Sequence, residues 1–334
     1  MRPEYQGVYA QILQETLERL DRAFQGFFSR VKEGKKAGFP RFRGRGWWNS
    51  FTYPQLWKKG KRLKPGRLLI KEPKPEEIPK SRKKELRRTG KIVLPGVGHV
   101  RILLHRPLQG IPKTLTIKRS AEGWYAIYAC EMEAQPLPPS ERAVGIDLGL
   151  ASFVATSDGE TIAPPRAYRQ AEAWLKRTQR ALPRKRRGSH RRRKLKQRLA
   201  RQHRKIANQR KDFHHKIARR LVNQYGTIVH EDLNAAGLAR TRLSKSVLDA
   251  GWKSFITILS AKAASAGRRV VVVQPHGTSQ ICPACGRIEK KELSERIHAC
   301  VCGCVLDRDV AAAKVILARG LDGAFGEGGR VAAA

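Results

Sequence analysis

Three carboxylates in this chain stand where a hard cation would find oxygen ligands. Asp147 closes an apolar run in AVGIDLGL, Glu231 closes another in IVHEDLN, and Asp309 opens the alanine-rich stretch of LDRDVAAAKVIL. Acidic oxygens of this kind can hold two Mg²⁺ ions ~4 Å apart, one activating a water and the other stabilising the leaving oxygen of a phosphodiester. Crowded carboxylates repel one another, so without a cation such a site would take up protons or loosen. Each residue alone has a plainer explanation: Asp147 as a turn residue, Glu231 as a surface acid, Asp309 as a helix N-cap. The set, in this order and beside a cysteine cluster, points to metal-dependent cleavage chemistry.

The cysteines make the second constellation. Five of the six lie between Cys282 and Cys304, which suggests a metal site in a reducing compartment rather than a disulfide framework. Cys282-Pro-Ala-Cys285-Gly is a zinc knuckle: a short turn brings two thiolates to one ion, and Gly286 permits the tight backbone approach. The second half offers Cys300, Cys302 and Cys304 instead of a Cys-x₂-Cys pair. Cys300 is expected to be a ligand, and the fourth is Cys302 or Cys304. Cys302 is preferred because it precedes Gly303 as Cys285 precedes Gly286. His298 is a possible substitute, more simply read as a satisfied surface histidine. One Zn²⁺ with four protein ligands leaves no position for water, so its role would be structural. The lone Cys130, in WYAIYACEME, is expected in the core of a strand.

Charge names the partner. Lys and Arg number 69 against 28 Asp and Glu in 334 residues, a formal net charge of +41 and a pI near 10.9. An excess spread over the whole length is more than one solvated face, so the expected ligand is nucleic acid. No segment has the ~18 uninterrupted apolar residues of a spanning helix, and the first twenty residues lack the apolar core of a secretory signal. A membrane partner is therefore not expected, and the expected location is cytoplasmic, with self-association left open.

The elements that must position these residues follow from periodicity. Val8 to Lys32 places Ile12, Leu17, Leu20, Phe24 and Phe27 on one helical face, with Glu15, Glu18 and Arg19 mostly opposite. In the basic and aromatic stretch that follows, Arg41, Arg43 and Arg45 could meet phosphates while Phe39, Phe42, Trp47, Trp48, Phe51 and Tyr53 stack on bases or plug the neighbouring core. The expected organisation is a helical segment with its basic-aromatic loop over 1–54 and a small antiparallel β module over 55–140, whose proline-rich end is a linker. An α/β domain follows over 141–276 and 305–320. Its long basic stretch, 166–223, carries Arg184, Lys185, Arg186, Arg187, Arg191, Arg192 and Arg193 and has few acids at i±4 to pair with them. It reads as a helical hairpin broken near Pro183 and Gly188 that tracks a nucleic-acid backbone. Residues 277–304 form the metal ribbon. A short helix runs from Asp309 to a stop at Gly320, and 321–334 make a disordered tail.

AVGIDLGL, VHEDLN, TSQICPACG and CGCVLDRDVAAAKVIL resemble the signature segments of the TnpB, or OrfB, family encoded by insertion sequences, and GFPRFRGRGWWNSFTYPQ is similar to its N-terminal half, so the resemblance spans residues 1 to about 320. It implies an RNase H-like (RuvC) nuclease core with a split site, a helical recognition segment, an OB-like wedge barrel and a zinc ribbon. It also implies a guide RNA transcribed from the element and a double-stranded DNA target. The family's three carboxylates fall on Asp147, Glu231 and Asp309; Asp307 is the less suitable third member, because the second Asp of DRD holds the family's place. The sequence departs from the family in three ways. The family begins with a further strand and helical segment before the point where Met1 stands, so the chain is expected to be truncated. Ala311 replaces the usual Asn, and the second zinc half-site is one residue short. The implied activity is RNA-guided, Mg²⁺-dependent DNA cleavage; the alternatives are a nuclease-inactive RNA-guided binding protein, a transposase or a transposase accessory protein.

Overall fold

The computed structural model describes residues 6–41, 44, 47–58, 61–62, 68–70, 88–104, 107–292 and 295–325. The chain divides into two compact units, 1–133 and 134–334.

In the first unit, α1 (Ala10–Lys32) precedes β1 (Ser50–Tyr53), β2 (Trp57–Lys58), β3 (Lys61–Arg62), β4 (Leu68–Ile70), β5 (Arg88–Leu94), β6 (Gly98–Leu104), β7 (Ile111–Ser120) and β8 (Gly123–Glu131). Two three-stranded sheets, β1-β7-β8 and β4-β5-β6, share a core of Tyr53, Leu56, Ile92, Leu94, Leu115 and Ile117. The expected division at residue 54 is corrected, because β1 pairs with β7 along its whole length and belongs to the β module. Tyr53 is fully buried and donates its hydroxyl to Pro95 O, so it is a core residue and no stacking platform. The expected face of α1 is also corrected. Leu17 and Leu20 are exposed while Glu15 is buried, because its carboxylate pairs with Arg19, whose guanidinium reaches Ser50 O and Thr52 Oγ1 on β1. Cys130 lies in β8 as expected but is half-buried and outside the core.

In the second unit come β9 (Ala143–Asp147), β10 (Val154–Thr156), β11 (Thr161–Ile162), α2 (Ala167–Ala181), α3 (His190–Gln224), β12 (Thr227–Glu231), α4 (Ala235–Leu238), α5 (Ser244–Ala250), α6 (Trp252–Ser265), β13 (Arg269–Val273), β14 (Ile297–Ala299), β15 (Val305–Asp307) and α7 (Arg308–Phe325). The central sheet runs β11-β10-β9-β12-β13, with β10 antiparallel to both neighbours and β12 parallel to β9 and β13. The sheet is therefore mixed, and its first two strands are antiparallel with Asp147 at the end of the first. Alternation of side chains across the pleat gives it two covered faces. Val144, Ile146, Ile228 and Val270 join α3 and α6 in the larger core, while Val229 and Val271 meet Ile316 of α7.

Residues 134–140 are more than a linker, since Leu137 N donates to Ala266 O at the end of α6 and ties the segment to this unit. The chain breaks between α5 and α6 at Gly251 (φ +66), where a Cβ would stand 3.2 Å from Arg210 Cδ. The basic hairpin forms as expected, turning between α2 and α3 at 182–189 with Gly188 at φ +81. Ser189 caps α3 by accepting from Arg192 N, an arrangement worth about 1 kcal/mol.

The helix expected to stop at Gly320 continues to Phe325, so residues 321–325 are helical and not a disordered tail. Gly320 serves close approach instead: a Cβ there would lie 2.3 Å from Val229 Cγ1. Gly145 does the same on β9, where a Cβ would lie 2.1 Å from Ala313 O. These two positions let α7 lie directly on β9 and β12. Gly145→Ala therefore pushes a methyl into backbone and is expected to cost about 1–3 kcal/mol, the usual range for overpacking. Gly320→Ala, which meets a side chain, should cost less. Thermal unfolding of the two variants checks this, and an unchanged Tm for Gly145→Ala would contradict it.

Candidate active site and metal centre

The sheet register sets two of the three carboxylates side by side. His230 pairs with Ile146 in the parallel ladder, so the next residues, Glu231 and Asp147, leave adjacent strands at the same end. Neighbouring strands stand about 4.8 Å apart, and residues level in a parallel pair point to the same face. Gly145 and Asp147, two apart, share that face, as do Val229 and Glu231. It is the face α7 covers. Asp309 lies one helical turn before Ala313, the residue seated over Gly145, so α7 carries it toward the strand ends.

The electrostatics agree with the placement. Burial pushes the Asp147 carboxyl up to about 7, helped by the negative charges of Glu231 and Asp309 and opposed by the Leu148 N–H and the Arg308 charge. Burial also raises Glu231, against a hydrogen bond from Thr278 and the charge of Arg319. Asp309 is raised by burial and by Asp307, against Arg296 and Arg308. Folding without a cation thus favours the protonated form of Asp147, and that contribution to stability is lost as pH rises through about 7. A bound cation reverses the balance.

Asp309 Oδ2 lies 3.7 Å from where a Gly149 Cβ would stand, so the Asp-Leu-Gly turn leaves room beside the third carboxylate. Among the described residues these three carboxylates do not bring one oxygen each within 4.8 Å of the others. All three donors are hard oxygens, which fits Mg²⁺. Asp307 is exposed and differently employed: its Oδ1 accepts from the N–H groups of Asp309 (2.9 Å) and Val310 (3.3 Å), capping α7. That leaves the Asp309 carboxylate free.

Cys282, Cys285, Cys300 and Cys302 converge, with Cys282 and Cys302 sulfurs 3.7 Å apart and those of Cys285 and Cys300 3.6 Å apart. Four thiolates ~2.3 Å from a tetrahedral ion stand about 3.8 Å from one another, so the cluster fits such an ion. The two halves are alike in backbone. Gly286 (φ +73) and Gly303 (φ +88) turn left-handed after Cys285 and Cys302, and each donates its N–H to the carbonyl of the first cysteine of its half. Burial pushes the Cys282 thiol up, but the N–H groups of Cys285 and Ala284 and the His298 side chain outweigh it and bring it to about 5. Cys304 instead groups with Cys282 and His298. His298 is not the surface residue expected: it is fully buried, with Nδ1 on Lys291 Nζ.

Of the basic residues singled out, Arg184, Lys185, Arg186, Arg187, Arg191 and Arg193 are exposed and form no ion pair among the described residues. Arg192 is half-buried and closes the hairpin turn, donating to Leu182 O (2.6 Å) and Lys185 O (3.1 Å). In the first unit Arg41 is exposed, as are Trp47 and Trp48, while Phe42, Arg43 and Arg45 lie outside the described residues. Phe39, though exposed, packs edge-on against Phe24 and Phe27.

Sequence reasoning passed over two residues beside the site and one that caps α2. Thr278 donates to the Glu231 carboxylate, Arg308 fastens the start of α7 to Glu292 O and Glu295 O, and the buried Asp249 caps α2 through Tyr168 N and Arg169 N. Thr278 sits in the quoted TSQICPACG segment, where only the cysteines carried a signal.

The family model described as "Probable transposase" (OrfB of IS605) matches residues 127–242, and that of the "Cas12f1-like, TNB domain" matches 252–316. A Streptomyces pristinaespiralis protein described as "Putative RNA-guided DNA endonuclease" is 34% identical over 314 residues, covering 92% of this chain and 71% of that protein. InsQ of Escherichia coli (strain K12), described in the same words, is 33% identical over 330 residues, covering 93% and 74%. The chain belongs to the TnpB (OrfB) family. A cryo-EM structure of a CRISPR-Cas12f ternary complex covers 92% of this chain and 70% of its own at 16% identity and a TM-score of 0.42, too distant to carry the fold. The family's Asn position holds Ala311, which is buried in α7.

The cysteine geometry separates the two candidates for the fourth ligand. Cys302→Ser is expected to lower the zinc retained per chain, and with it the Tm, whereas Cys304→Ser keeps both. Elemental analysis and thermal unfolding check this; equal zinc loss in the two variants would contradict the assignment.

Proposed function

We propose that this chain is an RNA-guided DNA endonuclease that hydrolyses phosphodiester bonds at an Asp147–Glu231–Asp309 site with two Mg²⁺ ions. The observation that carries the reading is the convergence of three carboxylates from β9, β12 and α7, each raised by burial, in a chain that belongs to this family.

When bound, Mg²⁺ supplies an activated water and charge neutralisation at the leaving oxygen. The protein's own part is placement. Asp147 and Glu231 come from strand ends fixed by the ladder, and Asp309 comes from a capped helix start. Arg308, held by Glu292 O and Glu295 O, keeps a positive charge beside Asp147 and Asp309.

The exposed cations of 184–193 would follow phosphates of the guide RNA or target duplex by charge alone, while base pairing supplies the choice of sequence. α3 supports this use. Its 35 residues give a rod about 50 Å long, and its buried residues begin at Ile206, so the exposed Arg191 and Arg193 of its first turn lie away from the core. The two sheets of the first unit are assigned to an OB-like wedge, and the four-cysteine element to a structural zinc ribbon.

The test is Mg²⁺-dependent cleavage of a matched plasmid by protein purified with its element's RNA. Asp147→Ala is expected to abolish cutting while RNA and DNA affinity stay as in wild type. Cleavage that survives the substitution, or binding that falls with it, would contradict the assignment.

A further inference from the structure

Beyond the three carboxylates, the structure assigns a role to one residue of the metal-knuckle segment. We propose that Thr278 is a positioning residue for the cleavage reaction: its hydroxyl fixes the Glu231 carboxylate in the orientation that ligates the catalytic metal. The proposal rests on the reading of Asp147, Glu231 and Asp309 as that metal's ligands.

The geometry is specific. Thr278 Oγ1 donates to Glu231 Oε1 across 47 residues of sequence, and both side chains are buried, 5% and 8% exposed. Among the described residues this is the only hydrogen bond the Glu231 carboxylate receives, so Oε1 is the oxygen held. Glutamate has among the largest rotamer freedom to lose on ordering. Strand β12 fixes where its backbone ends but not where its carboxylate points. Threonine suits the opposite need, since its branched Cβ leaves χ1 few choices.

Thr278 is itself held. It follows Gly277, whose left-handed backbone (φ +71) turns the chain out of β13 and whose carbonyl accepts from Gln280 N (2.9 Å) and Ile281 N (3.2 Å). Four residues further on, the buried Cys282 enters the metal centre, and its N–H donates to Arg287 O (2.8 Å). The hydroxyl thus projects from a turn pinned on one side by the sheet and on the other by the knuckle.

Three variants test this in the RNA-bound protein. Thr278→Val keeps the shape and removes the donor, Thr278→Ala removes it without placing a methyl against the carboxylate, and Thr278→Ser keeps the hydroxyl. Mn²⁺ binding followed by electron paramagnetic resonance reads the metal site apart from activity, and cleavage in titrated Mg²⁺ reads kcat. Val and Ala are expected to weaken Mn²⁺ binding or lower kcat roughly 10–100-fold, as is usual when a partner of a metal ligand is removed. Their zinc content and KM for target DNA should stay as in wild type, and Ser should restore both Mn²⁺ binding and kcat. Wild-type behaviour of Val and Ala while Glu231→Gln is inactive would overturn the proposal and spare the site. A Ser variant as impaired as Val would also overturn it, since the hydroxyl would then not be what matters. If Glu231→Gln itself binds Mn²⁺ and cuts normally, the underlying site assignment fails and Thr278 fails with it.

Discussion

The candidate site depends on one packing constraint, the direct seating of α7 on the sheet. Two of the carboxylates come from adjacent strands and would stand together in any chain that formed this ladder. The third, Asp309, comes from far along the chain and reaches them only if the helix carrying it lies flat on β9 and β12. Glycine at 145 and 320 makes this possible, since a Cβ at either would meet α7 backbone or the Val229 side chain well inside van der Waals contact. Ala311, Ala312 and Ala313 of α7 are buried with small side chains, and Ala313 is the one seated over Gly145. Protein interiors pack too densely to absorb a methyl there without displacement, so the position of Asp309 is set by what these residues lack.

The metal knuckle is the second constraint, and it acts on the first. Residues 277–304 lie between β13 and α7 in sequence, so their fold decides where α7 begins. Three contacts carry that coupling: Thr278 on Glu231, Arg308 on Glu292 O and Glu295 O, and Asp307 on the first N–H groups of α7. The cysteine element is thereby tied to both the strand end that carries Glu231 and the helix start that carries Asp309.

How much was legible in the sequence follows from how local each signal is. Asp147, Glu231 and Asp309 stood out only as a set, since each alone reads as an ordinary turn, surface or capping acid, and what the structure adds is that the first two end adjacent parallel strands and the third opens the helix lying over them. Gly320 was misread because a glycine after a helical stretch looks the same whether it ends the helix or lets it approach a sheet. Glu15 was placed on the solvent face because charge outweighs partnership in any periodicity argument, and its partner Arg19 bonds to a strand some thirty residues away. The choice between Cys302 and Cys304 turned on matching glycines, a local signal, and the thiolate cluster forms with Cys302. Thr278, a small polar residue whose partner lies 47 positions away, gave no signal at all.

The account's central claim is that Asp147, Glu231 and Asp309 share a pair of divalent ions. It is tested most directly by anomalous scattering from Mn²⁺ in crystals of the RNA-bound protein. The account predicts two peaks about 4 Å apart, lying among these three carboxylates and together touching all of them. A single peak bound to one carboxylate, or manganese held elsewhere while these carboxylates remain without metal, would contradict it.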